Sequence, residues 1–256
     1  MSAEEVENIS ESREFVTALA RGLEVLRVCA ARPEGMTLSE AAQAVGLPRA
    51  AVRRSLLTLT ATGYLSQVGR IFIPTPKVLN LSARVADLPL PRLAQPVLTE
   101  LSRTLDESAS LATLDGKDIL YIARAETHRI LAVDLSVGSR LPAWCTSMGR
   151  VLLAALPEEA RNQHIPEQLT ARTARTVTDK VALQDILINI REQGYCLLDQ
   201  ELELGLRSVA APVRNSAGDV IAALNVGMHA TRMSLKDVQH TVVPAVIKAA
   251  CRLKVP

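Results

Sequence analysis

Residues 37–65, TLSEAAQAVGLPRAAVRRSLLTLTATGYL, constrain the fold more than any other part of the chain. Thr37 stands where a hydroxyl caps a helix, and Ala41, Ala42 and Ala44 are small enough for close helix approach. Gly46 supplies a permissive backbone at the helix end. The second helix starts at Pro48, whose missing N–H would lack an intrahelical partner there anyway. Val52, Leu56 and Leu59 follow at i, i+4 and i+7 and make one apolar stripe, leaving Arg49, Ala50, Arg53, Arg54 and Thr58 on the other sides. Two short helices joined by a tight turn, with arginines on the second, form a unit that reads duplex DNA. The bland alternative is a helical hairpin with a solvated basic face.

The flanking sequence favours the DNA-reading alternative. Residues 64–68 and 71–73 are short β-prone segments around Gly69-Arg70, a small hairpin directly after the recognition helix, so the unit is a winged helix-turn-helix. Upstream, residues 15–31 have the spacing of the first helix of a three-helix core, with Leu19, Leu23, Leu26 and Cys29 expected to be buried. Residues 15–77 hold eight basic and three acidic side chains, a local balance of +5 in a chain whose total is +2. Phosphate contacts need such a footprint. The candidate DNA-contacting set is Thr37 and Ser39 at the first helix, Arg49, Ala50, Arg53, Arg54 and Thr58 on the second, and Arg70 at the wing tip.

The remaining sequence requires a second domain, since 256 residues with 48% hydrophobic content exceed what one small DNA-binding module needs. Residues 1–14 carry five glutamates and one arginine with little apolar content, which reads as a disordered acidic tail and not a signal peptide. No apolar run approaches the roughly 18 residues of a membrane span, so no membrane is expected and the protein is read as cytoplasmic. Cys29, Cys145, Cys196 and Cys251 are scattered without metal-like spacing and read as reduced thiols; neither a metal nor a cofactor is indicated. Aromatic content of 2% argues against a base-stacking platform for single strands.

The expected organisation is α+β: a winged helix-turn-helix domain over 15–76, a linker helix over 77–89 and an effector-binding domain over 90–256. Pro74 and Pro76 stop the wing; Pro89 and Pro91 break the linker helix, whose Val78, Leu79, Leu81 and Val85 must pack on something, a partner subunit being one candidate. The second domain opens with a helix over 93–105. Strands follow at 110–114 and 119–125 around Asp115-Gly116, then at 130–135, 209–214 and 220–226, with helices over 148–155, 182–193 and 235–253. The expectation is a mixed sheet with flanking helices, of a size that holds a small molecule.

Two segments of that domain look like a site. In residues 138–157 a loop enters a helix near Thr146 or Ser147, so the N–H groups of Ser147, Met148 and Gly149 point outward and can hold an anion; equally, Thr146 or Ser147 simply caps its own helix. In residues 194–215 Asp199, Glu201, Glu203, Arg207 and Ser208 follow one another in a loop-like stretch before a strand.

Over residues 15–253 the chain resembles the IclR family of transcriptional regulators, through GLPRAAVRRSLLTLTATGYL and through Gly-Tyr, acidic residues and Gly-Leu-Arg-Ser before Ala-Ala-Pro at 194–212. RAAVRRSLLTL, DGKDILYIARAE and RLPAWCTSMGRVLLAALP make it most similar to the branch that regulates protocatechuate, 4-hydroxybenzoate and β-ketoadipate catabolism, with Trp144 where tyrosine is more usual. The resemblance implies a GAF-like mixed α/β effector domain, palindromic operator DNA, and homodimers often paired into tetramers. It also implies a carboxylate effector held by Ser147 and Met148, Leu198 or Asp199, Leu206, Ser208, Asn225 and Gly227; the helix start adds Gly149, and Trp144 is expected against the ring or chain of the ligand. Two other classes compete. An enzyme could be written around Cys145 with a histidine, or Asp199 with Glu201, but no nucleophile elbow or phosphate loop fixes such geometry. A DNA-binding protein whose second domain only oligomerises is the other.

Overall fold

The computed structural model describes residue 12 and residues 14–82, 88–127 and 135–253. The tail expected over 1–14 lies outside the described residues except for Ser12 and Glu14, and most of the strand expected at 130–135 and of the linker beyond Ser82 lies outside them too. The chain divides into two units between residues 85 and 86.

In the first unit, α1 (Thr17–Ala30), α2 (Leu38–Val45) and α3 (Arg49–Ala61) precede a three-stranded antiparallel sheet of order β1-β3-β2, formed by β1 (Met36–Thr37), β2 (Leu65–Val68) and β3 (Ile71–Pro74). Val25, Leu26, Cys29, Ala41, Val52, Leu56, Leu65 and Phe72 make its core. A short 3-10 turn (Pro76–Val78) and α4 (Leu79–Ser82) follow. The strand β1, absent from the sequence reading, gives the wing a third strand. Leu19 and Leu23 are not buried as expected: they are 61% and 56% exposed. The buried stripe of α1 is Val25, Leu26 and Cys29, so its first half overhangs the core and, with Leu81 and Thr58, edges an apolar groove. Ala44 is also exposed.

The second unit starts with α5 (Pro89–Leu105), four residues earlier than expected. Pro89 and Pro91 open this helix because the first N–H groups of a helix have no internal acceptor, so losing them costs nothing. The sheet is β4 (Ser108–Asp115), β5 (Asp118–Ala125), β6 (Arg140–Pro142), β7 (Cys196–Asp199), β8 (Leu206–Arg214) and β9 (Val220–His229), in the order β6-β5-β4-β9-β8-β7. Every described pairing is antiparallel, which corrects the expectation of a mixed sheet. Short turns at 116–117 and 215–219 and the loop at 200–205 make hairpins, and hairpins impose that direction.

Both faces of the sheet are covered, which is why its strands are apolar on both sides. One face, with Ala109, Leu111, Val209, Leu224 and Val226, packs on α5 and on the C-terminal helical run. That run is α9 (Leu235–Asp237), a π turn (Val238–Val242) and α10 (Val243–Arg252), not one uninterrupted helix. Pro244 has no N–H to give its own i−4 carbonyl, and the ladder widens just before it. The other face, with Ala112, Ile119, Tyr121, Ala210 and Ala223, packs on α6 (Ser147–Ala155) and α8 (Lys180–Gln193). A short α7 (Glu158–His164) lies between them in sequence. Helix α6 is buried from Ser147 to Ala154. It lies so close to the preceding turn that a Cβ on Gly149 would fall 2.1 Å from the Ala143 carbonyl oxygen.

Candidate functional site

In the first unit the cap of α2 is reciprocal. The Thr37 hydroxyl accepts from the Glu40 N–H at 3.3 Å, and Glu40 Oε2 accepts from the Thr37 N–H at 2.8 Å. These bonds from Thr37 hold the Glu40 carboxyl below its ordinary range. Gly46 ends α2 with φ of 64°, a left-handed turn that lets α3 leave at an angle. Pro48 is the N-cap of α3. Val52 and Leu56 anchor α3 to the core, while Ser39, Arg49, Ala50, Arg53, Arg54, Thr58 and Arg70 are exposed and Thr37 half-buried. No carboxylate among the described residues pairs with Arg49, Arg53 or Arg54. Arg54 and Thr58 turn toward the α1 groove, so Arg49, Ala50 and Arg53 form the more open face. Lys77, not singled out by the sequence, donates to the Thr62 carbonyl at 2.8 Å and sits 5.0 Å from the centre of the Tyr64 ring. It places a cation at the negative end of α3 and ties the start of the connector to the recognition helix.

In the second unit a narrow cavity of about 40 Å³ lies between the start of α6 and the sheet. Seven of the ten expected effector residues line it: Ser147, Met148, Leu198, Leu206, Ser208, Asn225 and Gly227. The Ser208 hydroxyl donates to Ser147 Oγ at 2.9 Å. Asn225 is 8% exposed, and its buried Oδ1 has no hydrogen-bond partner among the described residues. Thr146 caps α6: its hydroxyl accepts from the Gly149 N–H at 3.2 Å and donates to the Pro142 carbonyl at 3.0 Å. Thr146 thus caps this helix, as one of the two readings of the segment expected.

Three expected residues are not in the wall. Trp144 packs in the core and gives its carbonyl to Arg150 Nε at 2.9 Å. Gly149 is spent on close packing and on the Thr146 cap. Asp199 lies one position past Leu198 on β7 and, by strand alternation, faces the other way, where it accepts from Arg207 Nε at 2.8 Å and from Arg175 at 2.5 Å. The sequence reading missed Ser108, Ser110, Tyr121, Arg124, Leu135, Thr146 and Leu202 in the wall. Ser108 and Ser110 alternate on β4 and could have been read as one polar face. Arg124 could not, because the register shift opposite Leu111 and Ala112 leaves Ile122 unpaired and puts Tyr121 and Arg124, three residues apart, on the same side. Burial pushes the Tyr121 phenol up to about 12, so it stays neutral.

The catalytic pairs considered from sequence are otherwise engaged. Glu201 meets the buried Arg150 in a bidentate pair, Nη1 to Oε1 at 2.7 Å and Nη2 to Oε2 at 2.6 Å. Burial pushes the Cys145 thiol up to about 11, the opposite of an activated nucleophile. Among the described residues no group of three or more His, Cys, Asp or Glu side chains could hold a metal, and no helix is long and apolar enough to cross a membrane.

Family comparison places both units. Residues 18–69 match the IclR helix-turn-helix domain, and residues 82–255 match the bacterial transcriptional regulator IclR C-terminal domain. The chain belongs to the IclR family. It is 43% identical to the Pca regulon regulatory protein of Pseudomonas putida over 97% of this chain and 86% of that protein. It is 31% identical to the p-hydroxybenzoate hydroxylase transcriptional activator of Acinetobacter baylyi over 99% of this chain and 94% of that protein. Among solved structures, an IclR homolog from Microbacterium hydrocarbonoxydans complexed with 4-hydroxybenzoate is 26% identical. It superimposes with a TM-score of 0.76 over 93% of this chain and 97% of that one. This IclR-family chain is therefore a DNA-binding transcriptional regulator and not an enzyme, related to regulators of aromatic catabolism.

Replacing Glu201 with Leu strands the Arg150 charge in the interior. This variant should lose about 3 kcal/mol of stability, read as a lower urea midpoint for the second unit; a loss below about 1 kcal/mol would mean that the pair holds nothing in place.

Proposed function

We propose that this regulator binds a palindromic operator beside an aromatic-acid catabolic operon and that a small carboxylate from that pathway, bound in the cavity of the second unit, controls the binding. The first candidates are protocatechuate, 4-hydroxybenzoate and β-ketoadipate. The single observation that carries the sensor reading is the polar wall of that cavity, which holds the Ser147–Ser208 pair and a buried Asn225 oxygen without a partner among the described residues. Buried polar groups left unsatisfied are costly, and a ligand that satisfies them gains what the empty site forgoes. The likeness to the Pca regulon regulatory protein, to the p-hydroxybenzoate hydroxylase transcriptional activator and to the 4-hydroxybenzoate complex supports the choice of ligands.

On the DNA side, Arg49, Ala50, Arg53, Arg54 and Thr58 enter the major groove, with Thr37, Ser39 and Arg70 on phosphates or the adjacent groove. The working division is a DNA-binding domain over 15–76, a linker over 77–89 and an effector domain over 90–256, in a cytoplasmic protein. One recognition helix spans few base pairs, so two copies read half-sites about one helical turn or a multiple apart. The exposed Leu19, Leu23 and Leu81 around the α1 groove give the second copy an apolar face to cover, and such dimers can pair into tetramers.

An Arg53→Ala, Arg54→Ala double variant should lose about 1–3 kcal/mol of operator affinity for each base-edge contact and discriminate less between operator and random DNA. Unchanged affinity, or monomers bound to a single half-site, overturns the DNA model. In calorimetry, Ser208→Ala and Asn225→Ala should each weaken acid binding while operator affinity without acid stays at the wild-type value. No heat from any of the three acids would mean that the second unit does not sense them and only oligomerises.

A further inference from the structure

The cavity floor is two cross-strand rows. Arg124 on β5 stands opposite Ser110 on β4, and Ser110 opposite Asn225 on β9. In the next row, Ser108 stands opposite Gly227, Gly227 opposite Ser208 and Ser208 opposite Leu198. Arg124 and Ser208 are thus three strands apart, about 14 Å between backbones at the usual strand spacing. Gly227 lies between them, and a Cβ there would meet nothing within 4 Å, so the space above the middle of the floor is open.

The two ends differ in chemistry. At the Ser208 end stand the hydroxyls of Ser147 and Ser208 and the start of α6, with the Gly149 N–H already taken by Thr146. At the other end Arg124, with its side chain 11% exposed, donates through Nη1 to Ser110 Oγ at 3.1 Å and through Nε to Glu126 at 3.2 Å. Glu126 is 67% exposed, and among the described residues Nη2 has no partner. A guanidinium this enclosed, with one well-solvated acid against it, is under-neutralised, and its remaining donors form the fork that matches a carboxylate. Two strands from Arg124 in the same row, Asn225 Oδ1 has no partner among the described residues and needs a donor, which a phenolic hydroxyl has and an ionised carboxylate lacks.

We propose that Arg124, braced by Ser110, is the carboxylate anchor and the specificity-determining residue of this cavity, and that the effector is a hydroxylated aromatic monocarboxylate lying with its acid at Arg124 and its hydroxyl end at Ser147, Ser208 and Asn225. This rests on the sensor reading above and reverses the orientation expected from the helix N-terminus.

The test is calorimetry on the full chain with 4-hydroxybenzoate, protocatechuate, the neutral amide of each, and β-ketoadipate. Wild-type protein should bind the better hydroxy acid at least about thirtyfold more tightly than its amide, the factor that follows from leaving a buried charge unpaired. Arg124→Gln should remove that preference by weakening acid binding, and Arg124→Lys should keep part of it. A thermal melt checks that both variants fold, and the acid–amide comparison on unmutated protein stands whatever the variants do. Equal wild-type affinity for acid and amide, or an undiminished acid preference in Arg124→Gln, overturns the anchor while leaving the sensor reading intact. Wild-type protein that binds none of the acids overturns both.

Discussion

The shape of the cavity depends on how the charge of Arg150 is neutralised inside the second unit. Its guanidinium is 2% exposed and reaches three places at once: both oxygens of Glu201 and the Trp144 carbonyl. Glu201 also accepts the Val177 N–H at 3.0 Å. One ion pair therefore joins the turn before α6, α6 itself, the loop between β7 and β8, and the segment at Val177. The desolvation it requires makes it a poor source of net stability, but it allows few alternative arrangements, because moving any of the four segments exposes a buried charge to nothing. Ser147 and Met148 are held over the sheet in this way before any ligand arrives, which lowers the ordering cost of binding.

The sheet supplies the rest of the site through the sidedness of its strands. Alternation sends Ser108 and Ser110, Ser208, and Asn225 and Gly227 to the α6 face and sends Leu111, Val209 and Val226 to the α5 face. The bulge at Ile122 then brings Arg124 to the α6 face, where regular alternation from Tyr121 would have sent it the other way. In the DNA-binding unit the same economy applies: Val52 and Leu56 fix the rotation of the recognition helix, and Lys77 holds its C-terminal end to the connector.

The helix-turn-helix, its cap and its wing were legible because each rests on local rules: a capping hydroxyl, a left-handed glycine, an apolar stripe and a turn dipeptide. Half of the cavity wall was legible, Ser147, Leu206, Ser208 and Asn225 among it, since the family resemblance carries these by position. What failed is non-local. The resemblance leaves Leu198 or Asp199 open, and strand alternation with the Arg207 and Arg175 partners of Asp199, one of them 24 residues away, turns Asp199 away from the wall. Gly149 has the place of an anion donor, but its N–H is taken by the Thr146 hydroxyl. Leu19 and Leu23 have the spacing of core residues, and spacing does not say where the core ends. Pro89 and Pro91 are breakers inside a helix but openers at its start, and only the boundary decides which.

The central claim is that acid binding in the second unit and operator binding by the first are thermodynamically coupled. Fluorescence anisotropy of a labelled palindromic operator, titrated with the full chain at fixed salt with and without a saturating hydroxy acid, measures that coupling directly. The account predicts that the acid shifts operator affinity by about 5- to 150-fold, the range that corresponds to a coupling of about 1–3 kcal/mol. Superimposable titrations, at an acid concentration where calorimetry shows the cavity filled, would contradict it.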